Sequence, residues 1–326
     1  MNLKLTLRSI TRRPLFKILR ALLPSLAILI IGIVGFGVWV VYKAAHPPQA
    51  PYLATPNSFK ILSDRGVQAT EETWDNNDGT KARGWLLRGE TGKPAVILLH
   101  HYGADRSWLL NLGVKLNEAT NYTVLWPDLR GHGQNPSVKW TSFGGCEADD
   151  TVAAIKYLRS LKTADGKTIV GESIGVYGIE LGGYVAVMTA QKDPKVKALV
   201  LDSVPASSED ILYNLVKSRS AFDLGLLQPL TGTGASLYLR GCYQNKETCN
   251  VANSINSRSV MLLAGTDSSG YRESTSALTT CFPKTNTVER FTDLPASGLN
   301  LVASSPQQSE SYDRRVIDFF SKTLSQ

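Results

Sequence analysis

The sequence predicts an α/β protein with a mostly parallel central sheet covered by helices on both faces, preceded by one membrane-spanning helix. Three observations carry that expectation. From residue 95 onward, short continuous apolar runs alternate with helical patterns. A run that is apolar at every position is buried on both faces, as strands of a helix-covered parallel sheet are. Ala21–Tyr42 contains no charged residue, and 326 residues suffice for an anchor plus one large α/β domain.

The N-terminal run comes first. As a helix rising about 1.5 Å per residue, its 22 residues span about 33 Å, the thickness of a hydrocarbon core. Pro24 lies in about the first turn of that run, where proline is tolerated. A cleaved signal peptide is the alternative, but its apolar region is about 7–15 residues long. This run is longer and ends in Trp39, Tyr42 and Lys43, an interfacial belt. Residues 1–45 hold seven cations (Lys4, Arg8, Arg12, Arg13, Lys17, Arg20, Lys43) and no acid. The rest of the chain has 28 basic and 28 acidic residues, so the net charge of +7 belongs to the anchor. A nucleic-acid footprint on the folded domain is therefore not expected. Six of the seven cations precede the run, which places the N-terminus in the cytoplasm and the large domain outside, on the periplasmic or exoplasmic face of the plasma (inner) membrane.

This gives a cytoplasmic basic segment at 1–20, a transmembrane helix at 21–42, a proline-rich linker at 43–57 and the α/β domain at 58–326. Residues His46–Pro56 (HPPQAPYLATP) lack charged residues and read as an extended spacer. Four cysteines suit an oxidising compartment. Cys242 and Cys249 sit close together in a polar stretch, and a local disulfide between them is expected, with Cys146 and Cys281 left for a longer bridge. Four unrelated buried thiols are the alternative.

Residues from about Ser58 to Leu87 alternate apolar and polar around Asp75-Asn76-Asn77-Asp78-Gly79, which predicts antiparallel strands. The continuous runs are Ala95–Leu99, Thr123–Trp126, Ile174–Tyr177, Ala198–Leu201 and Val260–Ala264, with helical segments such as Glu147–Leu161 and Leu181–Ala190 among them. Residues 203–258 break this rhythm with glycines, a Leu-Gly-Leu-Leu segment and a cysteine pair, and read as a small cap or insertion.

Five blocks stand in a telling order: AVILLHHYGADRSW, VLWPDLRGHGQNP, FGGCEADDTVAAIKYLRSL, IGVYGIELGGYVAV and VKALVLDSVP. In that order and spacing the chain resembles the α/β-hydrolases over roughly residues 60–320, most closely membrane-associated esterase and serine-aminopeptidase-like members. The resemblance implies the α/β-hydrolase fold and a G-x-nucleophile-x-G turn that drives a strand sharply into a helix. Here the turn reads Gly178-Ile179-Glu180-Leu181-Gly182, so Glu180 stands at the nucleophile position. His100 falls on the family's histidine after the third core strand, and His101-Tyr102-Gly103 follows it. The backbone N–H groups of Tyr102 and Leu181 are then the expected oxyanion hole, with His100 and His101 lining the pocket.

A competing Gly171-Glu172-Ser173-Ile174-Gly175 makes Ser173 an alternative nucleophile, but a strand-like run follows it where an elbow needs a helix. The chain has four histidines, His46, His100, His101 and His132, and none follows the elbow. The triad of this family runs nucleophile, acid, histidine along the chain, and Leu299 stands where the histidine is expected. Asp267 is the candidate acid and Asp202 the alternative, although either also reads as a loop or capping residue. His132 reads as a turn residue, and His101 is the histidine with a path to Glu180.

Three roles for Glu180 are considered, a carboxylate folded into the oxyanion hole, a carboxylate nucleophile, or a general base for water, and the first is expected because it needs no further group. The expectation is a catalytically degenerate hydrolase-fold protein that binds a small-molecule ligand or a protein partner outside the membrane. The alternative is an active ester or amide hydrolase using Glu180 with His101, or Ser173. No metal or cofactor is called for.

Overall fold

The computed structural model describes residues 13–55, 57, 63, 66, 69–219, 228–268 and 270–325. Helix α1 (Arg13–Ala45) contains the apolar run, and its Arg20–Ala45 stretch, mean hydropathy 2.5, is long enough to cross a membrane. Leu22, Ile28, Leu29 and Ile31 are exposed along it. Because the helix begins at Arg13, Pro24 is interior to it and not in its first turn; membrane helices tolerate such a proline where neighbouring groups satisfy the freed carbonyl.

The helix also runs past Tyr42 to Ala45, and its last turn is not free. Val41, Ala44 and Ala45 are buried in the main core. The Tyr102 hydroxyl donates to the Ala44 carbonyl at 2.7 Å, and the Thr141 N–H donates to the Ala45 carbonyl at 2.8 Å. The proline-rich segment departs from a loose spacer too. Tyr52 packs its ring on Trp85, donates to Asp128 Oδ2 at 2.6 Å and accepts from Arg106 Nη2 at 2.9 Å. An aromatic face with a polar tip gives even a proline-rich stretch something to dock.

Eight strands follow: β1 (Thr70–Asp75), β2 (Lys81–Leu87), β3 (Ala95–Leu99), β4 (Thr123–Pro127), β5 (Ile174–Ile179), β6 (Val196–Asp202), β7 (Ser259–Gly265) and β8 (Thr287–Leu294). They form one sheet in the order β1-β2-β4-β3-β5-β6-β7-β8. β1 pairs antiparallel with β2 across the Asn76–Gly79 turn, β2 pairs antiparallel with β4, and all later pairs are parallel. The five continuous apolar runs fall on β3, β4, β5, β6 and β7. β3 and β5 are buried at every position because helices cover both faces. Those helices include α2 (Leu110–Thr120), α3 (Gly145–Ser160) and α4 (Leu181–Lys192). The strand expected from about Ser58 falls largely on residues outside those described.

The described residues of 203–258 carry three helices, α5 (Ser208–Arg219), α6 (Gln228–Tyr238) and α7 (Thr248–Ala252); the Leu-Gly-Leu-Leu segment lies outside the described residues. α8 (Arg272–Cys281) and α9 (Pro306–Leu324) complete the fold.

The disulfides correct the expected pairing. Cys146 bonds Cys242 and Cys249 bonds Cys281, with Cα separations of 4.9 and 5.1 Å. The segment joining Cys242 to Cys249 does not close on itself because its backbone is held elsewhere. The carbonyls of Gln244 and Lys246 accept from the Tyr184 hydroxyl at 3.1 and 3.0 Å. Cys242 thus lies over the start of α3, and Cys249 sits in α7 against α8.

Candidate functional site

The turn from β5 into α4 is sharp enough to force unusual backbone. Glu180 has φ 49° and ψ −108°, a conformation rare for any residue with a Cβ. Both flanking glycines are required sterically. A Cβ on Gly178 would lie 2.2 Å from the Gly182 carbonyl oxygen, and one on Gly182 would lie 2.3 Å from that of Leu99. The turn is pinned by the Glu180 N–H, which donates to the Asp202 carbonyl at 2.9 Å. It stands at the C-terminal edge of the parallel strands, where open α/β sheets bind their ligands.

The Glu180 side chain folds back across that edge. Its Oε2 accepts from the Tyr102 N–H at 2.8 Å, the neighbouring Leu181 N–H also favours its charged form, and Oε1 lies 3.4 Å from the Tyr271 hydroxyl. The residue is only 8 % exposed. Burial is the largest influence on its proton affinity and pushes the carboxyl up to about 7, against the pull of those three donors.

The loop after β3 is held by its own histidines. His100 Nε2 accepts from the Leu129 N–H at 3.0 Å, which leaves Nδ1 to carry the proton and donate to the His101 carbonyl at 2.8 Å. Complete burial keeps this ring neutral, well below its ordinary range. His101 Nδ1 donates to the Tyr102 carbonyl at 2.9 Å, its ring meets Trp108 edge-on, and its buried Nε2 has no hydrogen-bond partner among the described residues, so no hydrogen bond links it to Glu180. That pairing, expected from the sequence, is not brought together. His132 donates from Nδ1 to the Arg130 carbonyl at 2.9 Å, and burial depresses it to about 4. All three rings brace backbone at the site.

Asp267, in the loop after β7, reaches the segment that carries Leu299. Its carboxylate accepts from the Ser297 N–H at 3.0 Å and from Asn300 Nδ2 at 2.7 Å. Leu299 itself packs on the apolar cluster that includes Tyr177 and Ile179. Asp202, the other acid, is fully buried and accepts from Ser203 Oγ at 2.6 Å, from the Gly298 N–H at 2.7 Å and from the Tyr312 hydroxyl. The Tyr312 hydroxyl also hydrogen-bonds that of Tyr177 at 2.8 Å, and burial pushes Asp202 up to about 6. Asp202 therefore fixes the 297–300 loop from beneath.

Ser173 sits at the other end of β5, where its carbonyl accepts from the Ala95 N–H at 3.3 Å. The six residues of β5 lie between it and Glu180, a separation of about 20 Å. It is no part of this constellation. Tyr271 escaped the sequence reading: it follows Asp267 within TDSSGYRES, and nothing in that spacing marks it as a partner of Glu180.

Comparison with known proteins agrees with the topology. The model of the alpha/beta hydrolase fold family matches residues 94–300. Uncharacterized proteins of Mycobacterium tuberculosis and Mycobacterium bovis are 34% identical over 137 residues, 40% of this chain. The match spans only 35% of those relatives' own length. A thiohydrolase of Aspergillus aculeatus is 25% identical over 153 residues, 44% of this chain and 46% of its own. Among solved structures, an esterase of Pyrococcus furiosus superposes with a TM-score of 0.65 at 21% identity, covering 86% of this chain and 98% of the esterase. An acylaminoacyl peptidase of Pyrococcus horikoshii gives a TM-score of 0.58 at 15% identity, covering 83% of this chain and 44% of the peptidase.

Proposed function

This chain belongs to the alpha/beta hydrolase fold family, and from that premise we propose that it is a membrane-anchored, catalytically degenerate member that binds a ligand or partner instead of cleaving one. One observation carries the reading: the Glu180 carboxylate accepts the Tyr102 N–H, one of the two groups that would otherwise face a reacting carbonyl oxygen. An oxyanion hole stabilises charge only if its donors are free when that charge develops. Here the Tyr102 donor is engaged by the side chain at the nucleophile position.

The rest of the site supports the same conclusion. In the proposed assignment Asp267 is the acid, Leu299 stands at the histidine position, and Asn300 takes the carboxylate that would orient a histidine. No histidine follows His132 in the sequence. Without a base at that place neither a serine nor water is activated. A carboxyl titrating near 7 favours a second reading, Glu180 as general base for water. One experiment separates the two. Detergent-solubilised protein should not turn over short p-nitrophenyl esters and should not label with a fluorophosphonate. Glu180→Ser alone should leave that unchanged. Esterase activity in the wild type, abolished by Glu180→Gln, would sink the degenerate reading and establish the carboxylate mechanism.

The proposed arrangement puts residues 1–20 in the cytoplasm, 21–42 across the membrane and the domain, with residues 203–258 as its cap, on the external side. Six cations precede the apolar run, and two disulfides suit an oxidising compartment. A reporter that is active only outside the cytoplasm, fused after Gln326, is expected to be active. Activity of a cytoplasmic reporter at that place would reverse the orientation.

A further inference from the structure

Helix α6 has an unusual neighbour. Gly234 packs against α1, where an added Cβ would lie 3.2 Å from Val41 Cγ2 and 3.5 Å from the Gly37 carbonyl oxygen. One turn on, the Tyr238 ring meets that of Tyr42 edge-on with centroids 5.9 Å apart, and lies 6.4 Å from that of His46. Contacts therefore advance in the same direction along both helices, so α6 runs parallel to α1 and beside it. Gly37 lies five residues inside the apolar run, about 7–8 Å below its outer end. A helix in register with Gly37 is at that depth as well.

The chemistry of α6 matches the location. Its eleven residues carry no charge, and the eight that precede it in sequence carry only Asp223. Leu237 is 52% exposed and Tyr238 37%, while Ala235 and Leu239 are buried against the domain. Both helices then end alike. In α1 the order is Tyr42, then Lys43; in α6 it is Tyr238, Leu239, then Arg240. An aromatic ring followed within two residues by a cation is the pattern of a lipid–water boundary, and here the two rings meet edge-on.

We infer that α6 is a second membrane-contacting element: it enters the outer leaflet alongside the anchor, with the Tyr42–Tyr238 pair at the boundary, and its partner is the lipid bilayer itself. The inference rests on the anchored reading above. It gives the exposed Leu237 an apolar surrounding, and α6 itself meets the rule that backbone at membrane depth must be helical. It also sets the cap, and through the Tyr102 hydroxyl on Ala44 the Glu180 loop, directly at the membrane surface.

The test uses the full chain, whose four cysteines are all bonded, so one added cysteine is the only site for a thiol-reactive environment-sensitive fluorophore. Labels go at Leu237→Cys, at Leu29→Cys within the anchor, and at the exposed Asp165→Cys as the aqueous reference. The protein is reconstituted in vesicles of phosphatidylethanolamine and phosphatidylglycerol carrying lipids spin-labelled near the headgroup or near the chain end. The expected result is a blue-shifted Leu237→Cys label quenched by the shallow spin label, a Leu29→Cys label quenched by the deep one, and an unquenched Asp165→Cys label. Quenching at Leu29→Cys but not at Leu237→Cys would overturn the inference and leave the anchor standing. A blue-shifted but unquenched Leu237→Cys label would assign that face to a protein contact, also against the inference. Failure to quench Leu29→Cys would overturn the anchored reading and this inference with it.

Discussion

Glu180→Gln is expected to stabilise the folded protein by up to about 3 kcal/mol at pH 8 and to leave its stability unchanged near pH 4. The folded carboxyl holds its proton to about 7, against an ordinary value of 4.5. Below about 4.5 both folded and unfolded chains are protonated, and the residue is indifferent. As pH rises from there, the unfolded chain ionises first, so folding grows less favourable until the folded carboxyl also ionises near 7. Above that the penalty is constant. The span from 4.5 to about 7 corresponds to about 3 kcal/mol as an upper figure. Glutamine keeps an acceptor for the Tyr102 N–H and removes the buried charge. Denaturant titrations of both proteins at pH 4, 6 and 8 should show curves that diverge with pH. Parallel curves would mean that the carboxylate is solvated and that burial does not govern this site. The penalty adds to a backbone held at φ 49°, so the turn is costly twice over. A position that keeps both costs is expected to have a use, and engaging the Tyr102 N–H is the use proposed above.

The parts of this fold that were legible in sequence are those where a single physical demand acts on a short stretch. β3 through β7 are buried on both faces, so each shows as an uninterrupted apolar run, and the glycine-flanked turn at Glu180 follows from clashes that no other residue avoids. β8 was not legible. Its residues TVERFTDL are half exposed at the sheet edge, so its place is set by backbone pairing with β7 and not by apolar content. The end of α1 was obscured differently. Trp39, Tyr42 and Lys43 read in sequence as an interfacial belt at the end of the apolar run, but the helix continues to Ala45 because Tyr102 and Thr141 supply donors for its last carbonyls. Tyr271 and the Asp202–Tyr312 pair are long-range contacts between elements whose spacing carries no signal. Cysteine pairing belongs to the same class, since closeness in sequence says little about which helices pack.

Loss of the Cys146–Cys242 bond should be the most damaging covalent change available to this domain. The bond joins residues 96 apart, and the Cys249–Cys281 bond joins residues 32 apart. In the chain-entropy account these lengths correspond to about 4–5 and about 3–4 kcal/mol of constraint on the unfolded chain. Cys146→Ala with Cys242→Ala is therefore expected to lower the denaturation midpoint more than Cys249→Ala with Cys281→Ala does. The difference has a location as well as a size. Cys242 closely follows α6, so the longer bond fastens the end of that helix to the start of α3, while α1 grips its other face through Gly37 and Val41. Removing the bond should leave the end of α6 without its covalent tie to α3, and protease should then cut between α6 and α7 before the sheet unfolds. Non-reducing peptide mapping of the wild type provides the primary check, with fragments linked as 146–242 and 249–281. Recovery of a Cys242–Cys249 fragment would refute the long-range pairing. A smaller loss from the 146–242 double mutant than from the 249–281 one would show that native contacts, and not loop length, set the contribution of these bonds.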